Sequence, residues 1–324
     1  MHPTIDEYIQ SLILAGKVET ARGYRHSLSM YEGFLDARHL DPLAITTDQL
    51  RDYQRYLAEE YTTTKGSKLT KHSQQSRLCA VKSYYSWMER RSYTVNDPAL
   101  KIQLPTCPRG LVRTHHLSMQ EATAIIQAKA RKAASYPEGC IKWADEVRSL
   151  AVLTTALASG RRLAGLRALK VQHVDFTRGE LRAEKEKGRG SFGGRVLPMA
   201  GWAMGVLRIY IDRARPVLNW HQDNEALFVG DLTPVIGKNT LGAIVERAHE
   251  EGVAANPDLT DLPGKTISTH SLRVTFASLL FKGGANIRTI NELMMHAQLD
   301  TTSRYTPVPL EDLRRVCLTA HPRA

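Results

Sequence analysis

The chain has 324 residues, with 44 Lys and Arg against 33 Asp and Glu for a formal charge of +11, a balance that points to a polyanionic partner, nucleic acid before an anionic membrane surface. That length predicts two domains, each large enough to bury a real core. No stretch approaches the roughly 18 consecutive apolar residues of a membrane span, and the opening MHPTIDEYIQ has no basic segment leading into an apolar run, so the expectation is a soluble intracellular protein.

The first hundred residues read as four amphipathic helices. Ile5, Tyr8, Ile9, Leu12 and Ile13 recur at helical spacing, as do Tyr24, Leu28, Tyr31 and Leu35, then Leu50, Tyr53, Tyr56 and Leu57, then Leu78, Val81, Tyr84, Tyr85 and Met88. Between the third and fourth, TTTKGSKLTKHSQQSR carries Lys65, Lys68, Lys71 and Arg77 without an acid. Such a run is either a solvated loop or a helix entry that grips DNA phosphates.

Residues 101–116, KIQLPTCPRGLVRTHH, hold Pro105, Pro108 and Gly110 and lack any period, which marks a linker. The expected organisation is therefore a helical DNA-binding domain over 1–100, the linker over 101–116, and a second domain over 117–324. Ser118 followed by Glu121 is a capping box that opens the second domain's first helix. Trp143, Val147, Leu150, Thr154 and Leu157 continue with helical spacing up to the break at Ser159-Gly160, and RRLAGLRALK reads as another helix. VQHVDF, GELRAEKEK and GRVLPM are short and β-rich with turn residues between them, the pattern of a small antiparallel sheet. Helices return over 202–215, 240–250, 271–281, 287–295 and 310–318. The fold class is thus mainly α with one small antiparallel β-sheet.

Nothing in the sequence calls for a metal or cofactor. Cys79, Cys107, Cys140 and Cys317 are isolated, and ELMMH lacks the second histidine of a zinc helix. Gly188, Gly190 and Gly193 satisfy GxGxxG, but the pattern leads into a strand and not a helix, so it reads as a hairpin tip.

What remains is a set of cationic and proton-handling residues: Arg162, Lys185 and Lys187, His270 and Arg273, His296, and Tyr305. Phosphodiester transfer to a side chain needs these residue types. A tyrosine hydroxyl with a pKa of about 10 is a poor nucleophile until a base takes its proton or cations stabilise the phenolate. Planar guanidiniums hold the non-bridging oxygens of the pentacoordinate phosphate through paired hydrogen bonds. The departing 5′ alkoxide needs a proton from a nearby acid, and histidines orient groups or trade protons near neutral pH.

In these residues the chain resembles a tyrosine recombinase of the phage-integrase family. SGRR places Arg162 at the family's first arginine, with Arg161 an adjacent competitor; THSLR supplies His270 and Arg273; MMHAQLDTTSRY supplies His296 and, nine positions on, Tyr305. The family's lysine comes from the hairpin between the second and third strands, here Lys187 with Lys185 next. The chain departs from the pattern at Gly165, where the family often has an acid, and at Met295 and Pro307.

The resemblance implies an N-terminal SAM-like core-binding domain and a catalytic domain with Tyr305, Arg162, Arg273, His270, His296 and Lys187 as its catalytic set. Cleavage would give a 3′-phosphotyrosine, and exchange would pass through a Holliday junction without cofactor or metal. Its implied partners are double-stranded DNA, a homo-tetramer on two sites and accessory DNA-bending proteins, with no membrane, in the cytoplasm at the nucleoid. A stripe of Leu310, Leu313, Val316 and Cys317 fits a last helix that packs in cis or on a neighbouring subunit. Two alternatives stay open: a type IB-like topoisomerase and a non-catalytic DNA-binding regulator of the same fold.

Overall fold

The computed structural model describes residues 2–64, 66–106, 115–183, 195–221, 223–294, 314, 317 and 318. The chain divides into two compact units, Met1–Leu111 and Val112–Ala324.

The first unit has four helices: α1 (Pro3–Leu14), α2 (Val18–Ala37), α3 (Thr47–Arg55), which runs on through a π-helical turn at Tyr56–Glu60, and α4 (Lys71–Arg90). Their apolar stripes bury Ile5, Ile9, Leu28, Leu35, Leu50 and Val81 in one core. Tyrosines fill much of it. The Tyr31 and Tyr85 hydroxyls hydrogen-bond each other at 2.7 Å, so these two buried hydroxyls find a partner inside the core. Lys82 Nζ donates to the carbonyls of Ala99 (2.7 Å) and Ile102 (2.7 Å), and Ile102 is itself buried in this core. The start of the proline-containing segment thus packs on the first unit.

The second unit begins with α5 (Met119–Ala134), capped reciprocally by Ser118 and Glu121. It packs on α6 (Ile141–Ser159) and on α10 (Lys238–Ala255). Nearly every residue of α6 from Trp143 onward is buried, because α5, α8 (Gly201–Ile209) and α11 (Thr269–Lys282) cover it on different sides. The remaining helices are α7 (Leu163–Arg167), α9 (Arg215–Leu218) and α12 (Ile287–Met294). Strands β1 (Val174–Asp175), β2 (Glu180–Ala183) and β3 (Arg195–Pro198) form an antiparallel sheet in that order. Leu181 pairs with Leu197, and both turn into the core.

Two features depart from the spacing-based reading. The helix expected over RRLAGLRALK is confined to α7, because Leu169 and Val171 pair instead with the distant segment around Ala226 (Leu227 N–H to Leu169 O, 2.8 Å; Val171 N–H to Glu225 O, 2.9 Å). The helix expected over 202–215 is α8 followed by a π-helical turn at Tyr210–Ala214 and then α9. Near the C-terminus, Arg314 pairs with Glu180 of β2. Cys317 is buried in the second unit's core, and that burial pushes its thiol up to about 12.

Candidate active site

The candidate site starts where α6 ends. Gly160 stops the helix in the left-handed conformation, with φ 58°, which L side chains adopt at a cost. A Cβ built there would lie 2.3 Å from Phe276 Cδ1 of α11. Glycine is therefore required twice, for the turn and for the close approach of α11. The chain then passes through two adjacent arginines with opposite fates: Arg161 is buried, and Arg162, the residue that precedes α7, is exposed.

A capping box of Ser268 with Ser271 starts α11. His270 lies in the exposed first turn, and Arg273, three residues on, points inward and is 2% exposed. Its guanidinium donates through Nη1 to Gly160 O at 2.5 Å and through Nη2 to Met294 O. Both acceptors sit at helix C-termini, where carbonyls lack intrahelical donors and the macrodipole is negative. A buried cation there satisfies orphan carbonyls and its own charge through charge-assisted bonds.

One side chain thus ties three segments together: Gly160, two residues before Arg162; α11 with His270; and Met294, two residues before His296. Those segments are far apart in sequence. Lys185, Lys187, His296, Tyr305 and Lys65 lie outside the described residues; β2 and β3 pair out to Ala183 and Arg195, on either side of the segment that contains Lys185 and Lys187. Among the described residues, no group of three His, Cys, Asp or Glu side chains could hold a metal ion, and no helix is long and apolar enough to cross a membrane.

The basic run of the first unit divides. Lys68 Nζ donates to the carbonyls of Glu59 (2.5 Å) and Glu60 (3.2 Å), so it closes the π-helical turn. Arg77 Nε lies 3.1 Å from Met30 Sδ and its Nη2 3.4 Å from His26 Nε2. Lys71, the first residue of α4, is exposed.

Sequence reasoning missed Lys265 and Thr275. Lys265 Nζ donates to Glu121 Oε2 at 2.6 Å, and Thr275 Oγ1 accepts from the Leu117 N–H at 2.9 Å. A buried hydroxyl on an apolar helix face was the only local signal, and it does not name its partner.

A small SAM-like helical unit followed by a helical unit with one three-stranded sheet is the architecture of the tyrosine recombinases, which are DNA strand-transferring enzymes. Residues 117–310 match the phage integrase family and residues 5–92 its N-terminal SAM-like domain. The tyrosine recombinase XerC 2 of Ralstonia nicotianae is 30% identical over 320 residues, covering 98% of this chain and 85% of that protein. Two solved structures share the fold. One is the XerH site-specific recombinase bound to its difH substrate in a pre-cleavage complex, with a TM-score of 0.64 at 14% identity over 91% of this chain and 78% of that one. The other is a lambda integrase tetramer bound to a Holliday junction, with a TM-score of 0.56 at 16% identity over 95% and 80%. The chain belongs to the phage integrase family.

Proposed function

We infer that the protein is a site-specific DNA recombinase that cuts and rejoins DNA through Tyr305. The observation that carries this reading is the placement of Arg273, whose guanidinium bonds to Gly160 and Met294 and so gathers the segments that bear Arg162, His270 and His296.

In the proposed reaction the Tyr305 Oη attacks the scissile phosphorus and loses its proton, and the bond from phosphorus to the 5′ oxygen breaks. The DNA keeps a 3′-phosphotyrosine on one side and a free 5′ hydroxyl on the other. Arg162, exposed beside α7, holds a non-bridging oxygen; Arg273, buried with its guanidinium bonded to Gly160 O and Met294 O, contributes positive charge. His270 and His296 orient the phosphate and exchange protons, and Lys187 protonates the leaving 5′ oxygen. Because the phosphotyrosine conserves the ester, a 5′ hydroxyl from a partner strand reverses the step without a nucleotide cofactor or a metal. Two such rounds through a Holliday junction, in a homo-tetramer on two sites, complete the exchange. The protein acts in the cytoplasm on nucleoid DNA.

Trapping on nicked suicide substrates that carry the DNA flanking the native locus tests this reading. The unaltered protein should leave a denaturant-resistant DNA adduct, and Tyr305→Phe should bind the same DNA but leave none. An adduct that persists in Tyr305→Phe would refute the assignment of the nucleophile. Relaxation of supercoils by a monomer without paired sites would favour a topoisomerase, and no adduct from the unaltered protein would favour a regulator.

A further inference from the structure

We propose that Lys265 and Thr275 are positioning residues that strap the chain leaving the linker, residues 115–118, onto the helix that carries His270 and Arg273. The inference rests on the recombinase reading for its catalytic consequence and on geometry alone for the strap.

Four hydrogen bonds make the strap. The Thr266 N–H donates to His115 Nδ1 at 2.7 Å, Lys265 Nζ donates to His116 O at 3.2 Å and to Glu121 Oε2 at 2.6 Å, and the Leu117 N–H donates to Thr275 Oγ1 at 2.9 Å. Leu117 and Thr275 are fully buried, and Glu121 is 4% exposed. Water therefore cannot replace the bond between Leu117 and Thr275, whose loss leaves the buried Leu117 N–H unsatisfied, and loss of Lys265 leaves the buried Glu121 carboxylate without that cation.

The local structure does not need these bonds. The start of α5 is already capped by Ser118 and Glu121, with the Ser118 N–H donating to Glu121 Oε2 at 2.6 Å. Lys265 adds a second cation-held contact to the same carboxylate from the loop just before α11. Thr275 uses both sides of its hydroxyl, since it also donates to Ser271 O at 2.8 Å, so valine, its near-isostere, fills the space but makes neither bond.

The consequence follows from helix geometry. Residues two apart on a helix face nearly opposite directions, so Arg273 and Thr275 hold α11 from its two sides. Arg273 fixes one side to Gly160 and Met294; Thr275 fixes the other to Leu117. A shift of residues 115–118 therefore turns α11 and moves the Arg273 guanidinium and His270.

The test uses the full chain with Lys265→Met, Lys265→Arg, Thr275→Val and Thr275→Ser. Three quantities are read: hydrogen exchange of the 272–276 amides without DNA, DNA affinity, and the single-turnover rate of adduct formation at saturating DNA. Lys265→Met and Thr275→Val should raise exchange in α11 and slow adduct formation by about ten- to a hundredfold, the scale of a misplacement near 1 Å. DNA affinity, set by phosphate contacts elsewhere, should stay within about threefold. Lys265→Arg and Thr275→Ser should recover most of the rate. Unchanged exchange, an unchanged cleavage rate, parallel losses of cleavage and DNA affinity, or a loss that the conservative variants do not restore would each overturn the proposal. If the unaltered protein forms no adduct, the recombinase reading fails, and the DNA-free exchange measurement alone still decides the strap.

Discussion

Substituting Gly160 by alanine should both destabilise the second unit and impair DNA cleavage. With φ at 58°, an L residue at this position costs about 1–2 kcal/mol of backbone strain. The new Cβ would lie 2.3 Å from Phe276 Cδ1 and 2.8 Å from Cε1, and Phe276 is 2% exposed, so the ring has to move within a packed core. Overpacking of that kind costs about 1–3 kcal/mol. Together the two effects give about 2–5 kcal/mol, a large part of the roughly 5–15 kcal/mol that stabilises a typical domain. Urea denaturation of Gly160→Ala, Phe276→Leu and the double variant separates them. Removing the ring relieves the overlap but not the strain, so the double variant should be about 1–3 kcal/mol more stable than the sum of the single losses. Because Gly160 O accepts the Arg273 Nη1 bond, Gly160→Ala should also slow adduct formation by about tenfold or more, with DNA binding preserved. Additivity within about 0.5 kcal/mol, or a Gly160→Ala protein as stable as the parent, would refute the argued contact with α11.

Two further outcomes follow from buried charges. Lys129 is 1% exposed and its Nζ lies 2.5 Å from Glu146 and 3.1 Å from Glu251, with Lys132 bridging the same acids. Lys129→Met should cost about 3–5 kcal/mol, because it strips a buried carboxylate of its closest cation; adding Glu146→Leu should recover most of that loss, and a measured cost below about 1 kcal/mol contradicts the reading. Burial opposes ionisation of Glu121 and Glu251, but Lys265 and the Ser118 N–H outweigh it at Glu121, and Lys132 and Lys129 outweigh it at Glu251, so both carboxyls are held below their ordinary value. The unfolded chain then binds protons more tightly, so this contribution is fully present above the ordinary carboxyl value of about 4.3 and is lost as pH falls through the lower folded values. Urea titrations from pH 7 to 3 should fall steeply only at the acid end and fall less in Glu121→Gln and Glu251→Gln; equal slopes in all three proteins would contradict it.

Much of this protein is determined by local sequence. The four helices of the first unit are legible because Tyr, Leu and Ile recur along one face of each, and a stripe that must leave water dictates a helix wherever its neighbours come from. The start of α5 is legible in Ser118 and Glu121, because a capping box closes within three residues. The end of α6 is legible in Ser159-Gly160, because only glycine takes a left-handed turn cheaply. The short motifs with Arg162, His270 and Arg273 are legible as residue types suited to phosphate chemistry.

Only the tertiary structure decided how those residues are used. Arg161 and Arg162 are the same residue type side by side, yet the fold buries the first and exposes the second. Lys68 and Lys71 belong to one acid-free run, yet Lys68 closes a π-helical turn while Lys71 stays exposed. RRLAGLRALK has a helical pattern, yet its Leu169 and the following Val171 pair with residues near Ala226. The bonds from Arg273 to Gly160 and from Lys265 to Glu121 join positions more than a hundred residues apart. Periodicity reports which side of an element must be covered, whereas the identity of the covering group depends on chain segments that meet only after the core has formed.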